Sequence, residues 1–107
     1  MIAGDLVDQG RARQAADLMR LLGNEQRLLI LCQLTEGEKS VGQLEALVGL
    51  RQSALSQHLA RLRRKGLVAT RRQSQNIFYR LASPETATLL STLADLYCPA
   101  ASNHETT

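Results

Sequence analysis

At 107 residues with a net charge of +3, the chain is short enough for one domain and long enough for a modest core. Its apolar fraction of 44% and charged fraction of 21% fit a globular chain and exclude a disordered or collagen-like one. No apolar run approaches the roughly 20 residues that span a bilayer, and Asp5 and Asp8 stand where a leader would be basic and then apolar, so a single cytoplasmic domain over residues 1–107, with no membrane partner, is expected.

Residues 5–22 carry Ala15, Leu18, Met19 and Leu22 at helical spacing, which predicts a first helix. Gly23-Asn24 breaks the pattern, and Asn24 can cap a second helix through EQRLLILCQLTE. Ser40 with Gln43 reads as a capping box opening a third helix, VGQLEALV, which Gly49 ends. A fourth follows from about 52 to 65, with Leu55, Leu59 and Leu62 on one face and Gly66 as its stop. The period then switches. LVATRRQSQNIFYRLA alternates around a polar tip, RQSQN, and reads as a hairpin. Ser83 as cap and Pro84 in the first turn start a last helix, with Leu89, Leu90, Leu93, Leu96 and Tyr97 as a broad apolar face. Residues from about 100 to 107 are expected to be disordered. The expected fold is mainly α with a small β-hairpin: a winged helix-turn-helix, its helix pair at about 40–65 and its wing at about 67–82. Aromatics make up only 3% of the chain, so Leu, Ala and Val must fill the core, and such chains often complete it by dimerising.

Charge is distributed unevenly. Between Glu45 and Glu85 there is no acidic residue, while Arg51, Arg61, Arg63, Arg64, Lys65, Arg71, Arg72 and Arg80 all fall there. Such a block is either a solvated basic face or the footprint of a polyanion partner. The helix-turn-helix it overlaps favours double-stranded DNA. With the leucine seam turned inward, the fourth helix shows Gln52, Ser53, Ser56 and Gln57 near its start, then Arg61 and Arg64. Short amides and hydroxyls suit base edges in the major groove, and Gln can pair bidentately with adenine. The arginines, with Arg71, Arg72, Gln75 and Asn76 on the wing, suit phosphates, which add affinity without reading sequence. His58, beside the seam, is either a half-buried structural residue or a further DNA contact.

The two cysteines are Cys32, in LLILC, and Cys98, in LYCP. Cys32 alone reads as a small buried hydrophobe as readily as a reactive thiol. Cys98 ends a helix beside a polar tail and fills no seam. In a reducing cytosol a paired thiol is more often redox-active than a lasting disulfide. No Cys-x-x-Cys, Gly-rich anion loop or acid–base set accompanies them, so an enzyme is not expected.

LRQSALSQHLARLRRKGLV resembles the recognition-helix signature of the ArsR/SmtB family of winged-helix repressors, and LLGNEQRLLILCQLTEGEKSVGQL resembles the segment before it. The likeness covers about residues 10–98. It implies a homodimer joined through the first and last helices, whose apolar faces could otherwise serve an intrachain core only. Family metal sites are not matched. Ser40-Val41-Gly42 stands where one subgroup has Cys-x-Cys, and residues 84–97 hold no histidine and only Glu85 and Asp95 as acids. His104 lies in the tail, so no metal and no cofactor is assigned. The settings of the two cysteines resemble the BigR/SqrR/YgaV subgroup, which senses reactive sulfur. That resemblance implies a repressor released from its operator when sulfane-sulfur inducers, such as glutathione persulfide, link Cys32 and Cys98 through sulfur. An ArsR-type repressor answering a metal or a different oxidant is the alternative.

Overall fold

In a computed structural model of the chain, residue 4 and residues 7–98 are described. The tail expected at 100–107, with His104, lies outside the described residues, as do residues 5 and 6. Helix α1 (Gln9–Leu22) starts later than its apolar spacing predicts, because the Asp8 carboxylate caps it by accepting from the Gly10 and Arg11 amides at 2.8 and 3.4 Å. Helix α2 (Glu25–Leu34) opens as expected, with Asn24 Oδ1 accepting from the Arg27 amide at 3.0 Å. It ends short of the expected Glu36, where Thr35 caps it and Gly37 turns the chain at φ +136°.

A two-residue strand, β1 (Lys39–Ser40), follows and was not foreseen. Two residues are too few to show an alternating pattern. Helix α3 (Val41–Val48) carries both halves of the Ser40/Gln43 capping box, and Gly49 closes it at φ +78°. Helix α4 (Gln52–Arg64) ends in a full Schellman turn. The Leu67 amide donates to Leu62 O and the Gly66 amide to Arg63 O, both at 3.0 Å, with Gly66 at φ +80°.

Strands β2 (Val68–Gln73) and β3 (Asn76–Leu81) form the wing. Their register pairs Gln73 with Asn76, so the polar tip shrinks to Ser74-Gln75, with Ser74 at φ +57°. Strand β1 adds on the far side of β3, giving the antiparallel order β1-β3-β2 and pinning the wing beside the start of α3. Helix α5 (Pro84–Tyr97) starts at the Ser83 cap and ends at Cys98.

The core is almost entirely leucine: Leu21, Leu22, Leu31, Leu34, Leu44, Leu55, Leu59, Leu62, Leu67 and Leu90, with Ile30 and Val68. Arg27 is also buried, at 8% exposure, and its guanidinium donates to Leu21 O and Arg20 O at 2.8 and 3.2 Å. It thereby occupies carbonyls that the end of α1 leaves open, where a cation is favoured. Outside this core, Met19 (58% exposed), Leu29 (43%), Leu96 (65%) and Tyr97 (78%) stay open on α1, α2 and α5. The apolar faces of the first and last helices are thus only partly used within one chain. Among the described residues no helix is long and apolar enough to cross a membrane.

Candidate functional site

The recognition surface is built by burying one side of α4. Leu55, Leu59 and Leu62 are fully buried, which fixes the helix's rotation and turns Gln52, Ser53, Ser56, Gln57, Arg61 and Arg64 to solvent. Three arginines lie in its last turn, where they complement the carbonyl end of the helix dipole. At the other end Arg51 is the N-cap, extended in backbone and making no side-chain cap bond, and no acid sits in the first turn. Its charge was visible only as part of the basic block. An uncapped amide end beside an exposed cation is suited to a phosphate oxygen.

His58 is turned away from this surface. It is half-buried, and its Nε2 lies 3.1 Å from Gln26 Oε1 on α2, so the ring donates to that amide oxygen. Burial and then the charges of Arg27 and Arg61 push its pKa below the ordinary 6.5. The placement favours the structural alternative for this residue. Arg27 is itself pulled below its ordinary range by burial and by Arg61. Nothing in the local sequence marked Gln26, whose partner lies 32 residues away, or Arg27, which reaches back across the turn to the last carbonyls of α1.

The wing differs from its expected role in one respect. Arg71 Nε contacts both carboxylate oxygens of Glu38 at 2.8 and 2.9 Å, Nη1 donates to Gln73 Oε1 at 2.9 Å, and the guanidinium sits 4.8 Å from the Phe78 ring centre. A residue expected to contact phosphate is therefore engaged within the protein. Glu38, just outside the acid-free block, was the missing partner. Arg72, Gln75 and Asn76 remain exposed, Arg72 with one long bond of 3.4 Å to Ser74 O.

Both cysteines are exposed thiols, which removes the buried-hydrophobe alternative for Cys32. Cys32 leaves the buried face of α2, formed by Arg27, Ile30, Leu31 and Leu34, and lies three residues from exposed Leu29. Cys98 caps α5, its amide donating to Ala94 O at 2.8 Å. The Cys32 pKa is raised, first by the protein packed around its sulfur and then by the negative charge of Cys98. The residue is open to solvent overall, so the desolvation is local to the sulfur. The second cause puts the two sulfurs within electrostatic reach in one protomer. Among the described residues no three His, Cys, Asp or Glu side chains gather as a metal site would need.

Comparison with known proteins places this geometry. Residues 24–70 match the model described as "Bacterial regulatory protein, arsR family". The transcriptional activator HlyU of Vibrio cholerae is 51% identical over 81% of both chains, and a structure of its reduced form superposes with a TM-score of 0.82 over 87% of this chain and 98% of that one. The transcriptional repressor BigR from Xylella fastidiosa is 42% identical, with a TM-score of 0.84 over 92% of this chain and 98% of that one. The homodimeric winged helix-turn-helix DNA-binding domain Mb0332 from Mycobacterium bovis shares 29% identity and a TM-score of 0.72 over 94% of each. With its fold, its helix-turn-helix and relatives of this similarity, the chain belongs to the arsR family of bacterial transcriptional regulators.

Proposed function

We propose that this protein is a cytoplasmic, homodimeric repressor whose reduced form holds a pseudo-palindromic operator. It lets go when a sulfane-sulfur donor, such as glutathione persulfide, links Cys32 to Cys98. The observation that carries this reading is a pair of exposed thiols, one on α2 and one closing α5 in the same protomer, and the Cys98 contribution to the raised Cys32 pKa supports it. The open apolar residues on α1, α2 and α5 and the homodimeric relative support the dimer. Gln52, Ser53, Ser56 and Gln57 read bases, while Arg61, Arg64 and Arg72, with Gln75 and Asn76, hold phosphates.

The chemistry balances without an outside oxidant. The Cys98 thiolate attacks the sulfane sulfur of one donor and releases the donor's thiolate. The persulfide formed takes a second sulfur from another donor in the same way. Cys32 then attacks the sulfur next to Cys98 Sγ and expels hydrosulfide, leaving a trisulfide with one inserted sulfur. Cys98 acts first because it closes α5 as an exposed thiol, whereas the Cys32 sulfur is packed against protein, which raises its pKa. Such a bridge also spans a wider gap than a disulfide, whose Cα atoms must lie within about 7 Å.

Linking α2 to α5 changes how α2 packs against α5, which is itself one of the two dimer helices. The two recognition helices must meet half-sites roughly 34 Å apart, so a small change in their setting is felt at the operator. A coupling of about 2–3 kcal/mol weakens binding roughly 30- to 150-fold.

Gel shifts of reduced, persulfide-treated, peroxide-treated and zinc-treated protein, each paired with mass spectrometry, test the reading. Release with an intramolecular species retaining added sulfur in the persulfide sample alone is the expected result. Cys32→Ser and Cys98→Ser should each bind the operator and ignore the inducer. Release of either single variant by persulfide refutes the two-thiol scheme.

A further inference from the structure

We infer that Gln26 is a positioning residue that ties the setting of α2 to that of the recognition helix through its hydrogen bond to His58. The inference deepens the sulfur-sensing reading, on which it rests for what moves α2. Two sets of hydrogen bonds and one electrostatic influence converge on the first turn of α2. Gln26 Oε1 accepts from His58 Nε2 on α4 at 3.1 Å. Arg27, the next residue, donates to Leu21 O and Arg20 O at the end of α1. Arg61, one turn beyond His58 on α4, lies close enough to depress both Arg27 and His58. Cys32 follows Gln26 by six residues on the same helix, about 9 Å along its axis.

Leucine and isoleucine side chains of α2 and α4 belong to one core cluster, and apolar attraction of itself fixes no direction. Interdigitated packing resists such a shift but does not single out one residue pair to carry it. The Gln26–His58 bond is directional, weakening steeply once its angle or length departs from ideal. A rotation of α2 therefore either drags α4 or breaks this bond. Gln26 is exposed and His58 half-buried, so the pair adds little to folding while lying one residue from Gln57 on the reading face. His58 protonated on Nδ1 keeps its Nε2–H, so the link does not depend on the charge of the ring.

The test uses the full-length dimer. For wild type, Gln26→Ala and Gln26→Glu, operator affinity is measured reduced and after glutathione persulfide, and mass spectrometry follows bridge formation. Gln26→Ala should form the bridge normally and keep its melting temperature, while its ratio of treated to reduced Kd falls about 5-fold, in line with one net hydrogen bond. Gln26→Glu keeps an acceptor for Nε2–H and should restore the ratio. A Gln26→Ala ratio equal to wild type overturns the inference. If wild type itself holds its operator after treatment, the sensing reading fails, and a double-mutant cycle in reduced protein decides the link separately. Losses for Gln26→Ala and His58→Ala that are non-additive by 3-fold or more support it, and additive losses overturn it.

Discussion

The recognition helix and the wing share a charge sign and a stretch of sequence without acids, yet they hold their side chains in opposite ways. On α4 the reading face is set by what is buried behind it, and Arg61 and Arg64 make no ion pair among the described residues. On the wing, Arg71 is gripped by Glu38, Gln73 and the face of Phe78. Counting positive charges therefore overstates what the wing can offer a phosphate. What matters is whether a charge already has a partner, and that partner can sit 33 residues away.

If α4 is the reader and the wing an accessory, the largest effect belongs to Gln57→Ala. Loss of a bidentate base contact should cost about 1–3 kcal/mol of operator affinity and relax preference at one base pair, while affinity for random DNA stays unchanged. Competitive gel shifts with single-base operator variants measure this. An equal loss on operator and random DNA would show Gln57 to be a phosphate contact and would blur the division between the two regions.

The division was legible in sequence only on the α4 side, and the reason is locality. Helix starts and stops are written within four residues. Asn24, the Ser40/Gln43 box, the Ser83-Pro84 start and the glycines at 49 and 66 all act where they were expected to. The leucine seam gave the rotation of α4, and with it which side chains face out. Contacts across the fold leave no such trace. The Glu38–Arg71 and Gln26–His58 pairs join residues more than 30 apart, and β1 is too short to alternate. Cys32 was ambiguous for a different reason. LLILC is apolar on every side, so periodicity could not say which side turns inward, and the thiol lies on the outer one. Asp8 was read as an interior residue of a longer first helix and proves to be its cap.

The contrast sharpens with a matched pair. Arg64→Ala should lower the slope of log affinity against log salt by about 1, as expected for one lost phosphate contact. Arg71→Ala should leave that slope nearly unchanged, because its charge is already compensated. Filter binding from 50 to 200 mM salt separates the two, and equal slopes for both variants would mean that Arg71 abandons Glu38 on the operator. Glu38→Gln carries the argument one step further, since it releases Arg71. The slope should then steepen by about 0.9 and affinity at low salt rise roughly 3-fold. Stability should change by less than about 1 kcal/mol, because the pair is part-exposed, at 47% and 27% for the two side chains.

The smallest expected effect concerns His58, which the sequence leaves open between a structural residue and a DNA contact and which the structure turns toward α2. Its neighbours are Gln26 and Arg27 on α2 and Arg61 on its own helix, and burial with the two cations holds its pKa below 6.5. The ring is then neutral at pH 7 and contributes no charge to phosphate binding, so the salt slope should be the same at pH 7 and 8. The linkage has a definite sign. Between the lowered folded value and 6.5 the unfolded chain binds the proton more readily, so acidification through that window favours unfolding, while above 6.5 the term is flat. Melting temperatures from pH 7.5 down to 5 should fall more for wild type than for His58→Asn. An NMR titration, with His58→Asn identifying the resonance, should place the ring below the ordinary imidazole range. A midpoint above 6.5 would mean that a carboxylate or a phosphate, not Gln26, is its partner, and would return His58 to the reading face.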